Sequence, residues 1–238
     1  MCWGFSVSVA MVGAGAVAMA VTIAQGRPTA IPVTIGYFTV MEALQALGYP
    51  VVDRCGSPLN QSVAFLSVLH IIFQPFFINA FAMELVPEPV RLRVRAAVYG
   101  ACALSAAAML MQLYPFDWAG VCRPGSVLCG PALCTISGEW HIGWEVPFNG
   151  LAVPLEQALG LPAPFPTYVL AAFVVPLLYG AWRFVIFHAL VGPILAMLLT
   201  DNPNEMPAIW CLFSIGILLV SLSPWLWRRF SAKPAIAS

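Results

Sequence analysis

The feature that most constrains this chain is a series of long apolar stretches separated by short polar connections. The first four run from about Phe5 to Gln25, Ile31 to Val52, Gln61 to Leu85 and Ala96 to Leu113. A helix that crosses a bilayer needs about 20 apolar residues, which is roughly the length of each stretch. Charged residues make up only 8% of the 238 residues, whereas a soluble domain usually carries about 25%. The sequence therefore predicts an all-α, polytopic integral membrane protein with one domain, residues 1–238.

The apolar tract from Thr167 to Thr200 is too long for one upright helix and allows two interpretations. It forms either two short helices that turn at Gly180–Arg183, or one long helix kinked at Pro176 and Pro193. In the second interpretation the stretch from Trp140 to Leu161 supplies an extra crossing. Both interpretations give a bundle of seven helices, the last from about Ala208 to Trp227.

The distribution of arginine and lysine predicts the orientation. Basic connections are retained in the cytoplasm. Three basic sites fall on the same side only if the N-terminus is outside and the C-terminus is cytoplasmic: Arg27, the Arg91–Arg95 run, and Arg228, Arg229 and Lys233. We expect this orientation in the inner (cytoplasmic) membrane of a bacterium.

The same orientation places most cysteines at the outer face. These are Cys2, Cys55, Cys122, Cys129, Cys134 and Cys211, and three of them lie in a long outer loop, about 114–166. Disulfides persist in oxidising compartments, so we expect at least one bridge between this loop and Cys2, Cys55 or Cys211. The pairing stays open, and some of these cysteines are alternatively plain apolar fillers.

Several polar residues lie at membrane depth, where an ionisable group is costly unless it is paired or solvated. Glu42 and Gln45 lie near the middle of the second stretch, and His70 and Gln74 share one face of the third. Asp53 and Glu205 lie toward the outer boundary. The alternative to a functional role is that Glu42 and His70 pair with each other across two helices.

A second group of polar residues lies in the block Trp140–Pro147. If its middle is helical, His141 and Glu145 share one face, while Trp140 and Trp144 anchor the block at the membrane interface. Together with the intramembrane residues, this block suggests a polar cavity in the outer half of the bundle. A divalent metal such as zinc would be bound by His70, His141 and the carboxylate of either Glu42 or Glu145, and the other carboxylate would act as catalytic base.

Three motifs resemble those of an uncharacterised family of small polytopic membrane proteins: the start Met1-Cys2-Trp3, the Trp140–Pro147 block and the segment Asn204–Cys211. The resemblance spans nearly the whole chain and implies no established activity. The architecture is also similar to intramembrane metal-dependent hydrolases of the ceramidase and progestin-receptor type. The paired histidines of their last helix are absent, because no histidine follows Ala208.

Two functional hypotheses follow from the sequence. The first is a metal-dependent hydrolase or lipid-modifying protein that uses the predicted cavity. The second is a non-catalytic protein, either an accessory or assembly subunit of a membrane complex or a binding protein for an apolar ligand. We expect membrane lipids, and for an accessory role other membrane subunits, as partners. A formal net charge of zero gives no indication of a nucleic-acid partner.

Overall fold

The first half of the chain forms four long helices. The computed structural model describes residues 3–159, 165–214 and 216–231. The helices are α1 (Phe5–Ala24), α2 (Ala30–Gly48), α3 (Pro58–Glu84) and α4 (Glu88–Gln112). Their bounds follow the predicted apolar stretches, except that α4 begins earlier, at Glu88, with Pro89 in its first turn. Proline is favoured at a helix start because its missing N–H has no intrahelical partner there.

The connection between α4 and the next long helices folds into a small domain-like layer, which we call the cap (residues 113–159). It contains the antiparallel strands β1 (Cys134–Ser137) and β2 (Ile142–Glu145) and the short helix α5 (Val153–Leu159). The prediction of a purely α-helical chain is therefore wrong at this point. The hairpin also replaces the predicted helical middle of the Trp140–Pro147 block.

The apolar tract after the cap forms two helices, as the first of the two interpretations predicted. Helix α6 (Pro166–Leu178) and helix α7 (Trp182–Leu199) are joined by a turn at Gly180, which has a φ of +96°. Glycine adopts this left-handed conformation without the strain that a side chain would cause. Each helix contains one π-helical turn, Leu170–Val174 and Leu190–Ile194. The described part of the Trp140–Leu161 stretch is hairpin and short helix, not a crossing.

The C-terminal part is broken into three short helices, α8 (Met206–Phe213), α9 (Gly216–Leu222) and α10 (Pro224–Phe230). Among the described residues, five helices are long and apolar enough to span a membrane, namely α1 to α4 and α7. They support the predicted membrane association. Consecutive helices pack side by side: α1 on α2, α2 on α3 and α3 on α4. At the first interface a Cβ at Gly15 would lie 2.1 Å from the Thr39 hydroxyl, so the small residue permits the close approach.

The bundle has two chemically different ends. At the cap end, the Trp3 N–H donates to the Trp140 carbonyl and the Asp53 N–H donates to the Thr135 carbonyl. At the opposite end, the Arg27 guanidinium lies 5.1 Å from the Trp227 ring, and Arg183 donates to the Arg229 carbonyl. We call this the basic end.

Two disulfides hold the cap. Cys55, in the connection between α2 and α3, is bonded to Cys134 of β1, and Cys122 is bonded to Cys129 within the cap. The first bond confirms the predicted bridge between the long loop and another outer-face cysteine. The candidate Cys211 is buried and free, as the apolar-filler alternative allows, and Cys2 lies outside the described residues.

Candidate functional site

The side chain of Glu205 fastens the cap to the bundle. It lies just before α8 and is completely buried. One carboxylate oxygen accepts the N–H groups of Trp140, at 2.6 Å, and His141; the other accepts the Glu139 N–H and the Thr200 hydroxyl. Hydrogen bonds to a charged acceptor are roughly twice as strong as neutral ones. Glu205 is therefore a structural clasp for the turn between β1 and β2.

Two glycines make room for this clasp. A Cβ at Gly138 would come within 2.4 Å of the Glu205 carboxyl carbon, and a Cβ at Gly143 within 2.7 Å of the Asn204 carbonyl oxygen. The Trp144 N–H donates to that same carbonyl. The sequence motifs 140–147 and 204–211 thus form one tertiary unit.

His141 lies beside Glu205 and belongs to the same unit. Its Nδ1 atom accepts the Ile142 N–H at 2.8 Å. The Tyr49 hydroxyl lies 2.7 Å from Nδ1 and 2.6 Å from the Trp3 carbonyl oxygen, and its single proton can bind only one of these two acceptors at a time. Because Nδ1 accepts a backbone N–H, the ring proton of the neutral imidazole is on Nε2. Burial lowers the pKa of His141 to about 4, while the Glu205 carboxylate acts in the opposite direction.

Glu145 and Trp144 differ from their predicted positions. Glu145 lies on β2 opposite Cys134 and packs against Gly130, so it does not share a helix face with His141. Trp144 is fully buried in the cap and is not an interfacial anchor.

His70 makes a reciprocal contact with Tyr37 between α3 and α2. The His70 Nε2–H donates to the Tyr37 carbonyl at 2.7 Å, and the Tyr37 hydroxyl donates to the His70 carbonyl at 2.5 Å. The Tyr37 ring is stacked between His70 and Phe77, with centroid distances of 3.8 and 3.6 Å. The predicted alternative pairing of His70 with Glu42 is wrong, because Tyr37 is the partner.

Glu42 lies on the other side of α2. It lines a cavity together with Phe38 of α2 and Cys211 and Leu212 of α8, whereas His70 lines a groove with Tyr37. Gln45, one turn further along the same face, donates to the Ala208 carbonyl at 3.3 Å.

The two remaining predicted polar residues are structural. The Gln74 amide donates to the Cys211 sulfur and accepts the Tyr168 hydroxyl at 2.7 Å. The Asp53 carboxylate accepts the Ser137 N–H at 2.8 Å and holds the end of β1.

The structure therefore does not bring Glu42, His70, His141 and Glu145 into one cavity. These side chains lie in four different surroundings, two of them on opposite faces of α2. Within the described ranges, no group of three or more His, Cys, Asp or Glu residues is arranged to hold a metal ion. The predicted divalent-metal site does not fit these residues, and we derive no chemistry from it.

The model of the Family of unknown function (DUF5765) matches residues 6–231, nearly the whole chain. The chain belongs to DUF5765. This confirms the resemblance to an uncharacterised family. No curated protein and no solved structure matches the chain.

In this DUF5765 chain, sequence reasoning missed two tyrosines and one asparagine that organise the polar contacts. Tyr37 and Tyr49 anchor the two histidines. The Asn60 side chain binds the Val51 carbonyl and both backbone groups of Thr135. A signal existed for Tyr49, because it lies seven residues after Glu42 and so on the same helical face.

Proposed function

We propose that this protein binds an apolar ligand, the acyl chain of a membrane lipid, in the groove between α2 and α3. The observation that carries the proposal is the groove itself, with a volume of about 680 Å³. Its lining consists of aromatic and large aliphatic side chains and the ring of His70: Tyr37, Val40, Leu44, Leu66, Leu69, His70, Phe73, Phe76 and Phe77.

The floor of the groove is held rigidly. The two hydrogen bonds between His70 and Tyr37 join α2 to α3, and both donors are used within the protein. A ligand in the groove therefore meets ring faces and methyl groups. Such a surface recognises hydrocarbon by area and shape.

The residue types favour a lipid chain over a partner helix. Helices that associate in lipid meet through glycine, alanine and serine, because small residues let two backbones approach closely. The groove lining contains none of these residues. Both helices are long and apolar enough to span the bilayer, so the surrounding hydrocarbon has direct access.

We further propose that the chain crosses the membrane seven times, with the N-terminus and cap outside and the C-terminus in the cytoplasm of a bacterium. The shorter helix α6 and the combined segment α8–α10 would supply the two remaining crossings. Support comes from the positive-inside rule, because Arg27, Arg183 and Arg229 all lie at the basic end. Both disulfides lie at the cap end, which suits an oxidising compartment.

A lipid with a photoreactive diazirine on its acyl chain tests the groove. The purified protein is reconstituted in phosphatidylcholine bilayers that contain this lipid, irradiated, and the crosslinked residues are mapped. We expect crosslinks to concentrate on Val40, Leu66 and Phe73, which are the exposed members of the lining. Crosslinks spread evenly over all lipid-facing helices would contradict the proposal.

Two matched variants sharpen this test. Val40→Trp places a bulky ring in the groove and should reduce crosslinking there. Val33→Trp is the control, because Val33 is on the same helix with a similar exposure of 49% against 53% for Val40, yet does not line the groove. Equal crosslinking at the groove in both variants would show that a lipid chain is not the occupant.

A further inference from the structure

A second cavity lies on the opposite side of α2 from the lipid groove. Helices α1, α2, α8 and α9 enclose it, and its wall includes Gly15, Glu42, Cys211 and Ile217. It leaves about 20 Å³ for the centre of a water-sized molecule, and one water needs about 10–15 Å³ by this measure. The cavity therefore has room for a water molecule beside the carboxyl group.

The carboxyl group of Glu42 faces this cavity without a partner. Glu42 is only 6% exposed, and neither of its oxygens has a hydrogen-bond partner among the described residues. The Ser8 hydroxyl of α1 lies beside the carboxyl, but it too makes no hydrogen bond of normal geometry. The amide oxygen of Gln45 is likewise buried and unpaired.

The part of the chain that the structure describes places no positive charge around Glu42. Among the described residues, α1 has no ionisable side chain and α9 has none. Helix α8 contributes the thiol of Cys211, and α3 directs His70 into the opposite groove. Toward the cap, the next titratable groups are the Tyr49 hydroxyl and, bonded to it, His141.

If Glu42 were ionised, no described cation nearby would offset the free-energy cost of burying its charge. Burying a charge without a partner is so costly that the group takes up a proton instead. Glu84 is also buried in the same bundle, but it has a charged partner. Its carboxylate lies 2.6 Å from the Arg91 guanidinium. Ionisable residues inside a membrane mark substrate or ion pathways and proton relays.

We propose that Glu42 is a proton-binding site within the membrane bundle. The cavity between α1, α2 and α8 gives room for a water molecule beside its carboxyl group. The ligand is the proton, bound by the unpaired carboxyl. The site lies outside the lipid groove and goes beyond the proposed function. It stands or falls independently of lipid binding, because the two cavities lie on opposite faces of α2.

Dicyclohexylcarbodiimide tests the proposal, because this apolar reagent modifies protonated carboxyls inside membranes. The acid proton moves to a carbodiimide nitrogen, a carboxyl oxygen bonds the central carbon, and the acyl group then migrates to nitrogen to give a stable N-acylurea. We expect one adduct per chain, mapped by peptide mass spectrometry to Glu42 of the full-length protein. Glu84 should stay unmodified, because its carboxyl oxygens are engaged by the Arg91 guanidinium.

Three controls distinguish a proton site from a sodium site and from labelling at another carboxyl. Glu42→Gln should abolish the adduct completely, and labelling of the unsubstituted protein should fall about tenfold per pH unit above its midpoint, as a single-proton titration requires. Replacing choline by Na⁺ at constant ionic strength should change nothing. Absence of the Glu42 adduct at every pH, or protection of Glu42 by Na⁺, would overturn the proposal.

Discussion

Two buried glutamates, one that binds the cap and one inside the membrane bundle, differ in the number of hydrogen bonds that their carboxyl groups accept. Glu205 of the cap clasp is 0% exposed and accepts hydrogen bonds from three backbone N–H groups and one hydroxyl. Glu42 of α2 is 6% exposed and accepts none among the described residues.

The difference lies in the backbone around each residue. The turn between β1 and β2 is irregular, so its N–H groups have no partner within their own segment and are free to bind a carboxylate. In a membrane helix every interior N–H is already used by the carbonyl four residues earlier. A carboxyl in the bundle can thus be paired only by another side chain, and Glu42 has none among the residues that the structure describes.

The largest effect is expected from Glu205→Ala. Removing the carboxylate leaves three N–H groups and the Thr200 hydroxyl without their acceptor, so the local unfolding free energy of the cap should fall by about 4–5 kcal/mol. Hydrogen exchange of the 138–146 amides measures this. The matched control is Glu139→Ala, because the Glu139 side chain is exposed and only its backbone takes part. Unchanged protection in Glu205→Ala would show that the clasp does not hold the cap.

The two disulfides should stabilise the protein to different extents, because they close loops of different length. Cys55–Cys134 spans 79 residues and Cys122–Cys129 spans 7. Chain entropy predicts a loss of about 4 kcal/mol when the first is replaced by a pair of alanines, and about 2 kcal/mol for the second. Denaturant unfolding of the two variants provides the comparison. The reverse ranking would mean that the bond within the cap matters more than the one that ties the cap to α3.

The stability of the cap should depend on pH through the protonation of His141. Burial lowers its folded pKa to about 4 from 6.5, so the unfolded chain binds a proton first as the pH falls. Stability is therefore complete above pH 6.5 and is lost toward pH 4, by about 3 kcal/mol. His141→Asn preserves an acceptor near the Nδ1 position and should remove this slope. Parallel pH profiles for both proteins would contradict the assignment.

A smaller effect is expected at the hydrogen-bonded contact between Tyr37 of α2 and His70 of α3. Tyr37→Phe removes one of the two hydrogen bonds to His70 and should cost about 1 kcal/mol. Tyr99→Phe is the control, because it preserves the ring stack on Phe76 and removes no interhelical hydrogen bond among the described residues. Thermal unfolding in detergent would distinguish the two, and equal melting temperatures would refute the pairing.

The smallest effect is expected for Glu42→Gln. A neutral amide replaces a neutral acid of nearly the same shape, so the change in unfolding free energy should stay within about 0.5 kcal/mol. A loss as large as that of Glu205→Ala would show that Glu42 is ionised and has an essential partner.

The sequence predicted the bundle better than the cap. Apolar length alone defines α1 to α3 to within a few residues, because the bilayer thickness dictates it. The turn at Gly180 was one of two open alternatives, since a proline-kinked helix has the same composition.

The cap could not be predicted from local pattern. The spacing of His141 and Glu145 fits a helix, but the backbone of this block is held extended by Glu205 and Asn204, about 60 positions away in the chain. Tertiary contacts of this kind override local preference. The failure of the shared-cavity prediction has a similar cause, because His70 and Glu42 lie on neighbouring helices but face opposite sides of α2.

The most direct test of the contrast between the two glutamates is an infrared spectrum of the carboxyl C=O stretch near neutral pH. A protonated carboxyl absorbs at higher frequency than a carboxylate, so the unsubstituted protein should show a protonated band. We predict that Glu42→Gln removes this band and that Glu205→Gln leaves it unchanged. A band that survives in Glu42→Gln, or that disappears in Glu205→Gln, would contradict the account.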